Sequence, residues 1–387
     1  MPTYLVQGRS AIAGAAAVAV LGLTGVSAGS AVAGVARAPS ARPQIAYVVS
    51  LDANTVTPID TATNTAGKAI KVGINPNAIA ITPNGKTAYV TNSGSDTVTP
   101  ISTATNTAGK RITVGAHPAF VAITPNGKTA YVSSGNGTVT PISTGTDKAG
   151  KAIKVAGAGY LAITPDGTTV YVASSNGTVT PVSTATNKAK TPIKVGKTAG
   201  EIAITPNGET AYVTIGIGDE SADTVRPINI ATNKAGKAIV VGTAPSAIII
   251  TPDGKTAYVA CFYVHYPITQ GRVYPINVAT GQVGKFITVA GFPTHFAVTP
   301  SGTTLYVTTG QNVTPVHTQT RTAGRPFPAG FGPWAIALTA SGAMGYVTDD
   351  GTGMHPGHTV TPFRTKTNTT GKPIKVGLSP VAIALTP

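Results

Sequence analysis

The stretch from Tyr89 to Ala130 reads YVTNSGSDTVTPISTATNTAGKRITVGAHPAFVAITPNGKTA, and variants of it follow one another along the chain. Its first residue has counterparts at Tyr47, Tyr131, Tyr171, Tyr212, Tyr258, Tyr306 and Tyr346, with spacings of 42, 42, 40, 41, 46, 48 and 40 residues. Eight copies therefore cover residues 47–387. A repeat of this length is typical of the four-stranded blades of β-propellers.

Each copy contains four short runs with strand character. In the second copy these are residues 88–91, 97–101, 111–114 and 120–124, which are rich in Val, Ile, Thr and Tyr. Thr124-Pro125-Asn126-Gly127 suits a type I turn, and residues 105–109 form a second recurrent break. The 45 glycines and 30 prolines exclude a mostly helical protein.

The two chain ends are complementary. A single four-stranded sheet leaves its apolar faces uncovered, so the copies must pack radially against one another. The last run, residues 381–385, has no following strand, and residues 46–49 supply one. We therefore predict an all-β propeller of eight four-stranded blades, closed by pairing of the N- and C-terminal strands. A linear β-solenoid is the alternative, although its rungs are typically shorter.

Tyr89-Val90-Thr91-Asn92 is the literal YVTN signature, with ITPNGKTA before it and TVTPISTATN after it. The chain resembles the YVTN family of β-propeller repeat proteins, which is similar to archaeal surface-layer and bacterial exported propellers, and the resemblance covers every copy. Family propellers usually have seven blades, so seven is the alternative to eight. Asn92 itself occurs in one copy. The resemblance implies a propeller fold and carries no catalytic motif.

The N-terminus is predicted to be a targeting segment. Residues 11–36 carry no charge, and Ala31-Val32-Ala33 supplies a signal-peptidase pattern. We predict a signal peptide at residues 1–33, a flexible lead-in at 34–44 and a single propeller domain at 45–387. An uncleaved membrane anchor is the alternative. The single cysteine, Cys261, excludes an internal disulfide framework. The mature protein is then secreted or associated with the cell wall, without stable membrane insertion.

The net charge is +15. Within a blade we letter the strands a (Ile-Ala-Ile-Thr), b (Tyr-Val-Thr), c (Thr-Val-Thr-Pro-Ile) and d (Ile-Lys-Val-Gly). The a–b and c–d turns share one rim of the ring, the a–b rim, where we expect the lysines to gather. Adhesion to cell-wall polyanions such as teichoic acids or anionic glycans is one interpretation, and a solubilising surface is the other. No aromatic residues interleave with these lysines, so nucleic acid is not expected. The predicted polyanion-binding residues are Lys86 and Lys128, which we assign to a–b turns, and Lys110 and Lys151, which we assign to c–d turns.

The opposite rim, formed by the b–c and d–a connections, is irregular and is called the b–c rim. Long insertions fall in its b–c loops in the fifth, sixth and eighth copies. The start of strand a is also variable there, and strand a should lie nearest the axis, so these side chains either form a ligand pocket or plug the channel. The predicted ligand-binding residues are Phe120, Tyr160, Glu201, Tyr263, His265, Tyr266, His295, Trp334, His355 and His358.

The sequence contains few residues in patterns typical of metal binding or acid–base catalysis. His355 and His358 with Asp349 and Asp350 could bind a divalent metal, but H-x-x-H on a loop is not a known ligand frame, and we predict no metal and no cofactor. Glu201 and His295 could act as base and acid. We predict an exported, monomeric binding or scaffold module at the cell envelope whose ligand is a glycan, a peptide or an envelope protein. A lactonase-like hydrolase or lyase is the alternative.

Overall fold

The chain folds into a ring of eight antiparallel blades, which confirms the predicted blade number and excludes the seven-bladed and solenoid alternatives. The computed structural model describes residues 44–216, 224–265, 268–352 and 355–387, with the backbone alone described for 263–265, 268–269 and 352. These residues are strands and turns, and they include no helix long and apolar enough to cross a bilayer. The predicted signal peptide and nearly all of the lead-in lie outside the described residues.

Strand a is the innermost strand of every blade. Each strand a contacts strand a of the next blade, and this cycle closes on itself around the channel. Blades are numbered in ring order from the one that contains both chain ends. Strand a of blades 1 to 8 is Pro380–Leu385, Pro76–Ile81, Pro118–Ile123, Ala158–Ile163, Ala199–Ile204, Pro245–Ile250, Pro293–Val298 and Pro333–Leu338.

Strands b and c form the middle of each blade, and most of their side chains are buried against the neighbouring blades. Strand b is Ile45–Ser50, Thr87–Asn92, Thr129–Ser134, Thr169–Ser174, Thr210–Ile215, Thr256–His265, Thr304–Thr309 and Met344–Thr352. Strand c is Thr55–Asp60, Thr97–Ser102, Thr138–Ser143, Thr178–Ser183, Thr224–Asn229, Ile268–Asn277, Asn312–His317 and His355–Arg364.

Strand d is split into two short segments in seven blades, and the proline of strand c explains the split. In blade 2 the carbonyl of Pro100 accepts the N–H of Gly109 at 2.8 Å, but proline has no N–H to donate in return. The split segments are Thr65–Ala66 and Ile70–Lys71, Thr107–Ala108 and Ile112–Thr113, Lys148–Ala149 and Ile153–Lys154, Lys188–Ala189 and Ile193–Lys194, Lys234–Ala235 and Ile239–Val240, Thr322–Ala323 and Phe327–Pro328, and Thr369–Thr370 and Ile374–Lys375. Strand d of blade 6 is Ile287–Ala290, and here the first segment is reduced to an isolated bridge between Val283 and Ile276, next to Pro275 of strand c.

The predicted closure is confirmed. Strand a of blade 1, from the C-terminus, pairs antiparallel with strand b from the N-terminus, with Ala46 opposite Leu385 and Val48 opposite Ile383. The N–H of Thr386 donates to the carbonyl of Ile45 at 2.9 Å. One blade is therefore held together without a covalent a–b connection.

The a–b turns have the predicted type I chemistry. In blade 2 the N–H of Gly85 donates to the carbonyl of Thr82 at 2.7 Å, and Gly85 has a φ of 68°. The ring of Pro387 lies 3.2 Å from the position that a Cβ on Gly85 would take. In the same way, Pro83 approaches Gly127 of blade 3. The last residue of the chain thus takes the place of a turn proline in the blade that has no continuous turn.

The repeated tyrosine of strand b links each blade to the next. Its ring is buried, and its hydroxyl donates to the c–d turn of the following blade, as Tyr89 does to Asp147 at 2.6 Å. Five other blades make the same bond to asparagine: Tyr47 to Asn106, Tyr131 to Asn187, Tyr171 to Asn233, Tyr306 to Asn368 and Tyr346 to Asn64. Tyr212 and Tyr258 instead donate to the carbonyls of Val278 and Thr318.

Candidate functional site

Strand a is irregular where it reaches the mouth of the channel. In blade 4 the ladder partners move from Ala158 opposite Ser174 to Leu161 opposite Val172, which leaves Tyr160 outside the ladder. Blades 5 and 7 have the same irregularity beside Glu201 and His295. A β-bulge re-aims the side chains at the end of a strand. The bulges therefore take Tyr160, Glu201 and His295 out of the regular alternation of strand a.

Three of the predicted residues form one group on blades 3 to 5. The rings of Phe120 and Tyr160 lie 4.3 Å apart between centroids and are tilted by 31°. Burial raises the pKa of Tyr160, and the carboxylate of Glu201 raises it further. All three side chains are partly buried. The group presents an aromatic surface beside a carboxyl group.

Glu201 also reaches the next blade. Its Oε2 accepts the backbone N–H of Ile248, in strand a of blade 6, at 3.0 Å. Burial raises the pKa of Glu201 to about 8, and the hydrogen bond from Ile248 offsets part of this effect. At neutral pH the carboxyl is therefore mostly protonated, and it can donate as well as accept a hydrogen bond.

A second group lies on blades 7 and 8. His295 and Trp334 meet edge to face with their centroids 5.0 Å apart. The hydroxyl of Thr308 ties the two strands together, since it accepts the N–H of His295 and donates to the carbonyl of Trp334, both at 3.0 Å. The indole Nε1 of Trp334 is buried with no acceptor among the described residues. Because Glu201 and His295 belong to blades 5 and 7, the predicted acid–base pair is divided between the two groups.

The insertions in blades 6 and 8 are β-hairpins, where the sequence predicted loops. Strands b and c of blade 6 stay paired out to His265 and Ile268, and those of blade 8 out to Thr352 and His355. The side chains of Tyr263 and His265, and all of Tyr266, lie outside the described residues, as does the fifth-copy insertion at 217–223. The structure therefore does not place these three predicted ligand-binding side chains.

The candidate metal residues have separate environments. Asp349 is 2% exposed, and its Oδ2 accepts the hydroxyls of Thr359 and Thr361 at 2.5 and 3.0 Å. His355 and His358 are exposed on strand c. Among the described residues, no group of three or more His, Cys, Asp or Glu side chains is arranged to hold a metal ion.

Two carboxyl groups of this region have raised pKa values. Burial raises the pKa of Asp349 to about 6, although its threonine hydrogen bonds oppose the shift. Burial and the nearby charge of Asp52 raise the pKa of Asp350 to about 6. Asn92 occupies the position of Asp349 in blade 2, where its side chain bonds to Gly73 and Thr99. Asp349 thus has mainly a structural role.

An arc of exposed apolar side chains on the b–c rim was missed by the sequence analysis. The d–a linkers into blades 7, 8, 1 and 2 carry Phe292, Phe331, Leu378 and Ile74, which are 40%, 49%, 47% and 53% exposed. The linkers into blades 3 to 6 contain no large apolar residue. The arc therefore covers one contiguous half of the rim. The sequence does contain a signal for this arc, because a large apolar residue directly follows the glycine of the d–a linker in four consecutive copies.

The four predicted polyanion-binding lysines are exposed, but the structure separates them. Lys86 and Lys128 lie on a–b turns, as expected. Lys110 and Lys151 lie between the two segments of strand d, on the outer circumference of the ring, and their assignment to c–d turns was wrong. The reason is that strand d begins earlier than its apolar residues indicate, at Thr107 in blade 2.

Two surface pockets lie away from the channel mouth. One, of about 230 Å³, is lined by Ser301 and Ser341 of the a–b turns of blades 7 and 8, by Tyr306 of strand b in blade 7 and by Lys366 of the c–d turn of blade 8. The other, of about 270 Å³, lies at the outer edge of blades 3 and 4 and includes Lys154 and Lys190. None of the predicted ligand-binding residues lines either pocket.

No known protein family and no curated protein matches the chain by sequence. Solved β-propellers are similar in fold. Hydrazine synthase from Kuenenia stuttgartiensis is 21% identical with a TM-score of 0.64, covering 76% of this chain and 97% of that one. The dihydro-heme d1 dehydrogenase NirN, in complex with DHE, is 12% identical with a TM-score of 0.72, covering 88% and 74%. A functionally unknown protein from Desulfotomaculum acetoxidans DSM 771 is 17% identical with a TM-score of 0.62, covering 88% and 98%. These similarities define the class of the fold, an eight-bladed β-propeller in this chain.

Proposed function

We propose that this protein is an exported β-propeller of the YVTN type that acts as a binding module at the cell envelope. Its ligand is an extended peptide segment of an envelope protein, held on the b–c rim. The observation that carries this proposal is the concentration of large side chains on that rim. The channel mouth offers Tyr160 and Trp334, and the apolar arc lies on the linkers of the same rim.

The chemistry of the rim favours a peptide over a glycan. Aliphatic residues such as Leu378 and Ile74 gain free energy by burying apolar surface, which a glycan offers less than a peptide does. The b–c turns and linkers of blades 8, 1 and 2 contain no lysine or arginine, and the side chains of Asp52, Asp96 and the half-buried Asp350 lie on these turns or at the adjoining end of strand b. A peptide with alternating apolar and basic side chains would complement both features.

The test is a titration of a synthetic peptide library of this pattern against the fluorescence of Trp334, the single tryptophan. Phe331→Ser with Leu378→Ser should weaken binding of a selected peptide by about tenfold or more, because two exposed anchors are lost. Val240→Ser is the matched control, since Val240 is 70% exposed on strand d of blade 5. Equal affinities for the double variant and the control would contradict the proposal. Envelope glycans in place of peptides would show whether the ligand class is wrong.

Export is supported by the sequence of residues 1–33 and has its own test. Expression of the full chain in a secreting bacterial host should yield an extracellular protein whose first residue is Gly34, as measured by intact mass. A protein that keeps residues 1–33 in the membrane fraction would support the anchor instead.

A hydrolase or lyase is the second candidate function, and the pKa of Glu201 favours it. A carboxyl with a pKa of about 8 can serve as a general acid at neutral pH. A screen of lactone and ester substrates with the wild type and Glu201→Gln tests this idea. Turnover that persists in Glu201→Gln would exclude this residue as the acid.

A further inference from the structure

The positive charge of the protein is concentrated on one surface. Strand d and the residues between its segments span 65–72, 107–114, 148–155, 188–195, 234–241, 282–290, 322–329 and 369–376. They contain sixteen of the 28 lysines and arginines, all exposed, and none of the 13 acidic residues. We call these sixteen side chains the cationic belt: Lys68, Lys71, Lys110, Arg111, Lys148, Lys151, Lys154, Lys188, Lys190, Lys194, Lys234, Lys237, Lys285, Arg325, Lys372 and Lys375.

The rest of the propeller has the opposite balance. Three of the remaining twelve cations, Arg9, Arg37 and Arg42, precede the propeller. Nine cations and thirteen acids are then left outside the belt, and three of those acids belong to residues 217–223, which the structure does not describe. A net charge spread evenly for solubility would not separate in this way. Lysine on edge strands also deters edge-to-edge aggregation, so the uneven density of the belt, rather than its presence alone, argues for a ligand.

The belt is densest on blades 3 and 4. Strand d of these two blades carries six lysines, and blade 4 has Lys190 where most blades have glycine opposite the strand c proline. The pocket of about 270 Å³ lies here, between Lys154 of blade 3 and Lys190 of blade 4. Asn176 and Thr178 also line it, so polar groups are available beside the two ammonium groups.

We propose that the cationic belt binds a linear phosphodiester polymer, of the poly(glycerol phosphate) type, and that the pocket between blades 3 and 4 receives one of its phosphates. Fourteen of the sixteen belt cations are lysines. The arginine fork binds carboxylate and phosphate groups in bidentate geometry, whereas lysine binds phosphate as a point charge, which suits a polymer that carries one charge per repeat unit. Two aromatic residues lie in the belt spans. Phe327 is buried, and the half-buried ring of Phe286 is already covered by the guanidinium of Arg272 at 4.2 Å, so neither ring is an open stacking platform for nucleic-acid bases. This surface is separate from the b–c rim, and the proposal does not depend on the peptide ligand.

The experiment compares two variants of equal net charge. The belt variant replaces Lys151, Lys154, Lys190 and Lys194 with Gln, and the rim variant replaces Lys86, Lys128, Lys255 and Lys366 with Gln. All eight lysines are exposed, and each variant loses four charges. Fluorescence anisotropy with a labelled poly(glycerol phosphate) oligomer of about ten units measures Kd at several salt concentrations.

We expect the belt variant to bind the oligomer at least about tenfold more weakly than the wild type at low salt. The plot of log K against log salt should also become less steep, with the magnitude of its negative slope reduced by about 3. The rim variant should stay within about twofold of the wild type, with an unchanged slope. Equal losses in both variants would mean that net charge alone attracts the polymer, and no loss in either would place its site elsewhere. Both results would overturn the proposal. Tighter binding of duplex DNA than of the oligomer, through the same belt lysines, would also overturn it in favour of a nucleic-acid ligand.

Discussion

The hydroxyl of Tyr346 donates to Oδ1 of Asn64 at 2.6 Å, and this hydrogen bond joins blade 8 to blade 1, the two blades whose interface closes the ring. The two residues are 282 positions apart in sequence. Tyr346 is fully buried, and Asn64 has a φ of 56°, a conformation that asparagine tolerates better than most residues. The same pairing between other blades makes the ring a series of similar interfaces.

Loss of this hydroxyl should destabilise the ring. Tyr346→Phe removes the hydrogen bond to the half-buried side-chain oxygen of Asn64, so we expect the free energy of unfolding to fall by about 0.5–1.5 kcal/mol. Asn64→Gly keeps the positive φ and removes the acceptor, and Gly281 occupies the corresponding position in blade 6. Chemical denaturation of both single variants and the double variant measures the coupling. Additive effects would show that the two side chains do not stabilise each other.

Removal of residues 380–387 should unfold the closing blade. All six side chains of Pro380–Leu385 are buried. Burial of the larger ones contributes about 1.5–3 kcal/mol each, so the loss is comparable with the stability of a whole domain. Circular dichroism melting of the truncated protein measures the effect, and deletion of Pro387 alone is the control. A melting temperature within a degree or two of the intact protein would contradict closure by this strand.

Stability should fall as the pH rises from about 4 to 8. The pKa values of Asp349 and Asp350 are raised to about 6, and that of Glu201 to about 8. Over this interval the folded protein keeps protons that the unfolded chain has released, so rising pH favours unfolding. Thermal melting across this pH range, at constant ionic strength, measures the trend. A melting temperature that rises with pH would show that other groups dominate.

Two single variants should separate the contributions of Asp349 and Glu201 to the pH dependence of stability. Asp349→Asn should raise stability at pH 8 and flatten the decline below pH 6, because Asn92 already fills this position in blade 2. Glu201→Gln should flatten the part between pH 6 and 8. If the two variants keep the wild-type slope in these intervals, the carboxyl groups are not the cause.

Strand b of blade 8 carries a glycine because its cross-strand partner is large. Gly345 pairs with Phe363, and a Cβ on Gly345 would lie 2.1 Å from Cζ of that ring. Gly345→Ala should therefore cost about 1–3 kcal/mol by overpacking. Blade 2 has Ala88 opposite Ile101 at these positions. Gly345→Ala combined with Phe363→Ile should cost less than the sum of the single changes. Strict additivity in urea denaturation would contradict this packing explanation.

The sequence by itself determined that the chain has eight repeats, and it predicted the type I a–b turns and the closure of the ring, whereas the structure decided between eight blades and seven. These features follow from repeat length and from local chemistry, such as Pro83 and Gly85 in one turn or the missing strand at each chain end. The split of strand d could also have been predicted, because Pro100 cannot donate to a neighbouring strand. For the same reason, the misplacement of Lys110 was avoidable.

The tertiary structure alone decided which side chains meet. Phe120 contacts Tyr160 because bulges re-aim strand a, and a bulge depends on pairing with strand b and on the adjacent blades. The Tyr346–Asn64 bond and the cationic belt depend likewise on the path of the ring, which brings residues from distant copies together. Periodicity gives the number of repeats, whereas contacts between blades determine what each side chain faces, and those contacts exist only once the ring has closed.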